Sequence, residues 1–266
     1  MLIDLHLPVD AESDAESLNP LLDRAAAKGL NGLCLVGGPA LGPTAALAEA
    51  VSREGLLLLP GARVVTDLGV LLVFFPEVTD AVASGDWLAA GAGAPAAQAA
   101  IDAAAGQGGV AVAAHPYARI EGVPRMSDHL LELDGLAAVE VRHGASGDLA
   151  NDMALEATSL LGLPGVGGSG APEALGQAAT LIGRPVNGLA ELIAAIREGE
   201  VWPAEVGPDL SSAERRPPRD RDSRGDRRPR RDGRAGGGGR GDRGRPDRKR
   251  GGGGRGRGGG GGHRRG

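Results

Sequence analysis

After Leu210 the chain contains no Val, Leu, Ile or Met and no aromatic residue, so any hydrophobic core must be built before that point. Residues 211–266 hold 19 Gly and 20 Lys or Arg, and Ala213 and Ala235 are their only aliphatic side chains. Such a stretch cannot bury enough apolar surface to offset the entropy of ordering its backbone, and it is expected to stay disordered. The chain therefore reads as a folded domain over residues 1–206 and an Arg/Gly-rich tail over 207–266. Charge divides it similarly. Residues 1–210 carry 27 acidic and 9 basic side chains, whereas 211–266 carry 7 acidic and 20 basic. The net charge of −5 hides two segments of opposite sign and says little about partners.

Within the first segment, short apolar runs alternate with Ala-rich stretches of helical period, the pattern of repeated strand-helix units. The runs predict strands over 2–7, 32–36, 56–59, 62–65, 70–75, 110–114, 137–141 and 163–167. Helices are predicted over 20–28, 44–53, 95–105, 149–161 and 189–197. Asn19 and Pro20 suit the start of the first helix, since proline lacks an N–H that would have no partner there. Lys28 and Gly29 suit its end. Such units in one domain predict an α/β barrel or an open parallel sheet. All five aromatic residues precede Leu210, and aliphatic side chains must supply most of the core.

Several function classes fall away. Cys34 is the only cysteine and sits in the apolar run Leu33 to Val36, so no disulfide forms within the chain and the thiol reads as a buried hydrophobe. The start Met1-Leu2-Ile3-Asp4-Leu5 lacks a basic leader region, and Val70 to Phe75 is far too short to span a membrane. A cytoplasmic location with no membrane partner is expected. Gly165-x-Gly167-x-x-Gly170 has the spacing of a dinucleotide-binding turn but comes late in the domain, and Glu191, the acid about twenty residues on, lies in a predicted helix. These glycines read instead as places where the backbone passes closely at a strand end.

Metal-dependent hydrolysis needs imidazoles and carboxylates gathered at one mouth of a barrel, where the loops after the strands converge. Asp4 and His6 end the first predicted strand, and His115, in Ala113-Ala114-His115-Pro116, ends a later one. A lone strand-end histidine is ordinarily a hydrogen-bonded structural residue. His143 reads as an ordinary loop histidine that could in principle supply a missing ligand. His129, in an amphipathic stretch, is a weaker candidate.

These segments, in order, resemble the polymerase and histidinol phosphatase (PHP) domain. The resemblance is carried by Ile3-Asp4-Leu5-His6-Leu7, Leu59-Pro60-Gly61 with Val64, Val65 and Thr66, and Ala114-His115-Pro116. Val139-Glu140-Val141, Asn151-Asp152, the run Leu163 to Ser169 and the 189–199 helix continue it. It implies a distorted seven-stranded β/α barrel with two or three divalent metals that activate water against a phosphoester. Departures are many. His6 is followed by Leu7 and Pro8 where the family has His-x-His, and Gly37 and Gly38 stand for an Asp-His pair. Arg63 stands for a bridging Glu, Val70 for a His, and Gly170 and Pro172 for an Asp-x-His. Of the expected ligands, His6, Asp14 and His115 remain.

The function expected on these grounds is a non-catalytic PHP-like scaffold or regulatory binding module with no resident cofactor. The alternative is a residual metal-dependent phosphoesterase using zinc or manganese on His6, Asp14, His115 and one unrecognised ligand. Arg63 could pair with the phosphate of a phosphorylated small molecule. In the tail, Gly-spaced Arg240, Arg243, Arg245, Arg248, Lys249, Arg250, Arg255, Arg257, Arg264 and Arg265 could each reach a phosphate. Salt-sensitive, weakly selective contact with RNA or another polyanion is expected from them. Competing readings of the tail are a solubilising appendage, an arm on its own acidic domain, or compositional drift.

Overall fold

The eight apolar runs become seven strands in space. The structure, a computed structural model, describes residues 1–207 apart from Ala11, Ala90 and Ala92. The runs at 56–59 and 62–65 join through Pro60 and Gly61 into one strand, where a Cβ at Gly61 would lie 2.8 Å from the Phe74 ring. In chain order the strands are β1 (Leu2–Pro8), β2 (Gly32–Gly37), β3 (Leu57–Val65), β4 (Val70–Phe74), β5 (Val110–Ala114), β6 (Leu136–His143) and β7 (Gly165–Gly168). Two further strands, β8 (Ala178–Ile182) and β9 (Val201–Glu205), were not legible, because β8 is rich in small residues and β9 carries Pro203, which an edge strand tolerates. The helices are α1 (Ala15–Ala27), α2 (Leu41–Ala50), α3 (Asp80–Ser84), α4 (Ala97–Gly106), α5 (Asp148–Leu161) and α6 (Leu189–Arg197).

The sheet order is β7-β6-β5-β4-β3-β2-β1-β8-β9. Pairing is parallel among β1, β2 and β3 and among β5, β6 and β7, while β4 and β8 run against their neighbours. The carboxyl ends of β1, β2, β3, β5, β6 and β7 therefore open at one mouth. The sheet curls into a nearly closed α/β barrel, and side-chain and backbone hydrogen bonds beyond the strand ladder carry the closure. Thr180 of β8 accepts from Gly167 N at 2.9 Å and donates to Gly167 O at 2.8 Å, and Gly170 N donates to His6 O at 2.7 Å. Only glycine permits this approach. A Cβ at Gly168 would stand 2.5 Å from that of His6, and one at Gly167 would stand 2.6 Å from Ala179 O. The glycine spacing thus serves close passage within β7, not a dinucleotide turn.

Alternation along each strand sends one set of residues inward and the other toward the helices. The barrel interior is filled by Ile3, Leu5, Val36, Leu72, Phe74 and Val112, with Cys34 among them, fully buried as its apolar run predicts. Leu189, Leu192, Ile193 and Ile196 of α6 pack against this set, and Arg197 reaches the carbonyls of Gly108 and Gly109 just ahead of β5. The floor of the barrel is closed by α6, which leaves the mouth at the carboxyl ends open. Outside, α1 and α2 cover β1 and β2 with Leu18, Leu22, Ala25 and Ala48, while α4 and α5 cover β4 to β6. No helix among the described residues is long and apolar enough to cross a membrane.

The first helix departs from expectation. It begins at Ala15, with Pro20 inside it, because Asp14 supplies a stronger start than Asn19. Ser17 N donates to Asp14 Oδ1 at 2.9 Å, and Asp14 N donates to Ser17 Oγ at 3.0 Å, a reciprocal capping box. The Asn19 carboxamide instead accepts from Arg53.

Candidate metal centre

Three histidines meet at the mouth: His6 on β1, His115 after β5 and His143 at the end of β6. One ligand nitrogen from each lies within 4.8 Å of the others. The His6 ring stacks on His115 at 5.7 Å between centroids, and His143 stands edge-on to His115 at 4.7 Å. All three are buried. The sequence names His6 and His115 as residual ligand candidates, whereas it gives His143 as an ordinary loop residue. Its signal was faint: it closes the strand that carries Glu140, three residues after it.

Asp14 does not join them. It is exposed and committed to capping α1, with Ser17 as partner, so the sequence assignment of Asp14 as a metal ligand is corrected. His129 is likewise exposed, beside Glu132 at 3.5 Å. The tail residues Arg240, Arg243, Arg245, Arg248, Lys249, Arg250, Arg255, Arg257, Arg264 and Arg265 lie outside the described residues.

Two buried carboxyls hold the triad in place. Glu140 faces inward from β6 and meets His6 Nδ1 at 3.0 and 3.2 Å with its two oxygens, while His115 N donates to it at 2.9 Å. That last bond secures His115 at a φ of 32°, a conformation non-glycine residues seldom adopt. With its proton on Nδ1, His6 donates to Glu140 and leaves Nε2 open. Asp4 accepts from His6 N at 3.0 Å, from Ser169 N at 2.9 Å and from the Ser169 hydroxyl, which ties β1 to the chain just past β7. His143 Nδ1 is 2.7 Å from Ser146 Oγ, and its Nε2 is buried with no hydrogen-bond partner.

Burial sets the protonation. It holds His6 down at about 4, opposed by Asp4 and assisted by Arg63, and it holds His115 at about 3, with His6 and Arg63 adding to the effect. His143 falls to about 4 by burial, against the pull of Glu140. Burial lifts Glu140 to about 7 despite His143 and the His115 N–H, and raises Asp4 despite its bonds to Ser169 and His6. Three neutral imidazoles therefore face one another near neutral pH. Neutral imidazole is the form that binds a metal. The donor set fits one small divalent ion: three nitrogen ligands, two of them oriented through Nδ1, and one Nε2 buried without any other partner. The absence of ligand side chains at Gly37, Gly38, Arg63 and Gly170 leaves no such set for a second ion among the described residues.

Residues 148–201 match the family model described as PHP-associated. A candidate metal-dependent phosphoesterase from Bifidobacterium adolescentis superposes on the chain with a TM-score of 0.52 at 18% identity, over 79% of this chain and 98% of that one. The described residues form a PHP-like barrel. An amidohydrolase from Chromobacterium violaceum, solved with bound sulfate and no metal, superposes on the chain with a TM-score of 0.51 at 18% identity, over 77% of this chain and 98% of that one. Comparison with curated proteins gave no match. In this PHP-like barrel the candidate ligand positions differ from those the resemblance implies. Where the resemblance implies Asp at position 170, the space is occupied by the His143 ring, because a Cβ at Gly170 would lie 1.7 Å from His143 Nε2.

A cavity of about 520 Å³ opens beside the triad and is lined by Arg142, His143, Ser146, Asn151, Gln177 and Glu205, among others. It lies where the end of β6 faces β8 and β9, and it gives His143 a polar approach from solvent.

Proposed function

We propose that this PHP domain holds one divalent metal ion, zinc or manganese, on His6, His115 and His143, and acts as a one-metal phosphoesterase. The observation that carries this reading is the buried Nε2 of His143, which has no protein partner and faces two further neutral imidazoles. Three protein nitrogens with a remaining open position are the ligand set of catalytic rather than structural zinc sites. An ion held there supplies Lewis acidity toward a phosphoryl oxygen and a water of lowered pKa. The chain's own contribution is orientation: Glu140 fixes the His6 ring and the strained His115 backbone, Ser146 fixes His143, and Asp4 with Ser169 keeps β1 and the end of β7 together. Burial excludes protons from the imidazoles, so they remain ligands well below neutral pH.

Metal analysis of the purified full chain tests this. One zinc or manganese per chain, lost in His143→Ala, together with phosphoester hydrolysis lost in His115→Ala, supports it. A chain that takes up no metal at micromolar concentrations refutes it. The non-catalytic scaffold reading is favoured by the missing ligand side chains at Gly37, Gly38 and Gly170, and it would be chosen by stoichiometric metal without turnover on any phosphoester. For the tail, contact with RNA or another polyanion rests on charge and composition alone. Equal gel-shift retention of RNA by the full chain and by residues 1–210 would reject it.

A further inference from the structure

One cation points into the barrel. Arg63 of β3 pairs with Leu72 of β4, Leu72 with Val112 of β5, and Val112 with Ala138 of β6. Residues paired across a sheet project from the same side, and Leu72, Val112 and Ala138 all belong to the buried interior. Arg63 therefore stands in an otherwise apolar interior row, two positions from the carboxyl end of its strand. Its positive charge acts on all three histidines.

Among the described residues Arg63 makes no hydrogen bond or ion pair, and it is half-buried. Of the other half-buried arginines, Arg53 is engaged with Asp23, Arg142 with Asp152 and Glu205, and Arg184 with Glu198 and Glu200, while Arg24, on the outer helix α1, has Nε and Nη2 buried without a hydrogen-bond partner. The carboxyls of the mouth are already committed, Asp4 to Ser169 and His6, Glu140 to His6 and His115. A guanidinium withdrawn from water without an anion is costly, and its five donors in a rigid fork match the oxygens of a tetrahedral oxyanion.

We infer that Arg63 is the anion-binding arm of this site and pairs with the phosphoryl oxygens of a phosphorylated small molecule whose phosphorus centre faces the histidine triad. The inference rests on the one-metal reading above and deepens it: a fixed guanidinium neutralises phosphoryl charge where a second ion would otherwise do so. It accounts for a cation beside a metal centre, since the two positive groups are brought together by the anion they share.

Binding of inorganic phosphate to the metal-loaded full chain, followed by titration calorimetry with metal content measured in parallel, tests it. Arg63→Met should weaken phosphate binding at least about tenfold while metal content stays at the wild-type value. Arg63→Lys should fall between the two, because lysine keeps the charge without the fork. The tail is present in every variant, so the difference isolates Arg63. Equal phosphate affinity in wild type and Arg63→Met at equal metal content overturns the inference. Should Arg63→Met fail to fold, Arg63→Lys decides, and an unchanged affinity overturns it. If the wild type takes up no metal, the one-metal reading fails by itself. The same comparison on metal-free protein then still decides whether Arg63 binds phosphate.

Discussion

Gly170 and His143 share one space: the position a Cβ of residue 170 would occupy lies 1.7 Å from His143 Nε2. Gly170 also has a φ of +71°, in the left-handed region that favours glycine. Gly170→Ala should therefore force the His143 ring out of the triad. Metal affinity should fall at least about tenfold, the low end of what disturbed ligand orientation costs. The strained backbone should add roughly 1–3 kcal/mol of destabilisation. Metal titration beside thermal melting checks both, and wild-type metal affinity in a folded Gly170→Ala would separate the two residues.

Above its pKa of about 7, the ionised Glu140 can only accept, and so sets the His6 tautomer with the proton on Nδ1. In Glu140→Gln the carboxamide turns an N–H toward one of the two groups that donate to it now. The cheapest escape is for His6 to move its proton to Nε2, which removes that lone pair. Metal affinity should drop about 10–100-fold, with a stability loss near 1–3 kcal/mol for the misplaced buried bond. Two-dimensional nitrogen NMR of the imidazoles would report the tautomer directly, and an Nδ1-protonated His6 in the variant would contradict this account.

Acid should destabilise the metal-free protein. The folded pKa values of His6, His115 and His143 lie at about 4, about 3 and about 4, below the roughly 6.5 of an unfolded histidine. The unfolded chain therefore binds more protons, and stability is lost as pH falls from about 6.5 toward 4. Glu140, raised to about 7, and Asp4, also raised, act in the opposite sense: the folded carboxyl keeps a proton that the unfolded one has lost, so their contribution grows as pH falls and is lost as pH rises through the folded pKa. Three imidazoles outweigh two carboxyls, so the melting temperature of the chelator-treated chain should decline between pH 6.5 and 4.5. A melting temperature that rises over that interval would rule out neutral buried imidazoles.

Asp14 offers the contrasting case. Asp14→Ala removes the side chain that accepts from Ser17 N and should loosen the start of α1, seen as a modestly lower melting temperature. Metal affinity should stay within about twofold of wild type, because the site is uncoupled from the cap. A large loss of metal would restore Asp14 as a ligand.

These cases show where local and non-local physics divide. Strands β1, β2, β4, β5 and β6 and helices α4, α5 and α6 follow from apolar period and can be read within a few residues, since hydrophobic alternation is a property of neighbouring side chains. His6 and His115 were recognisable as strand-end histidines for the same reason. Asp14 was misread although its true role is also local: Ser17 three residues on is a capping-box partner, and the family pattern drew attention away from it. Glu140 appeared only as part of a strand motif, because its importance lies in reaching residues 134 and 25 positions away.

The division of the chain into a core-forming segment and a tail that cannot form one follows from composition, because apolar side chains are either present to be buried or they are not. The arrival of His143 beside His6 and His115 depends on β6 lying between β5 and β7, on glycines that let β7 reach β1, and on an empty side-chain position at Gly170. Those are distances between residues far apart in the chain, set by strand order and close packing, and no local pattern encodes them.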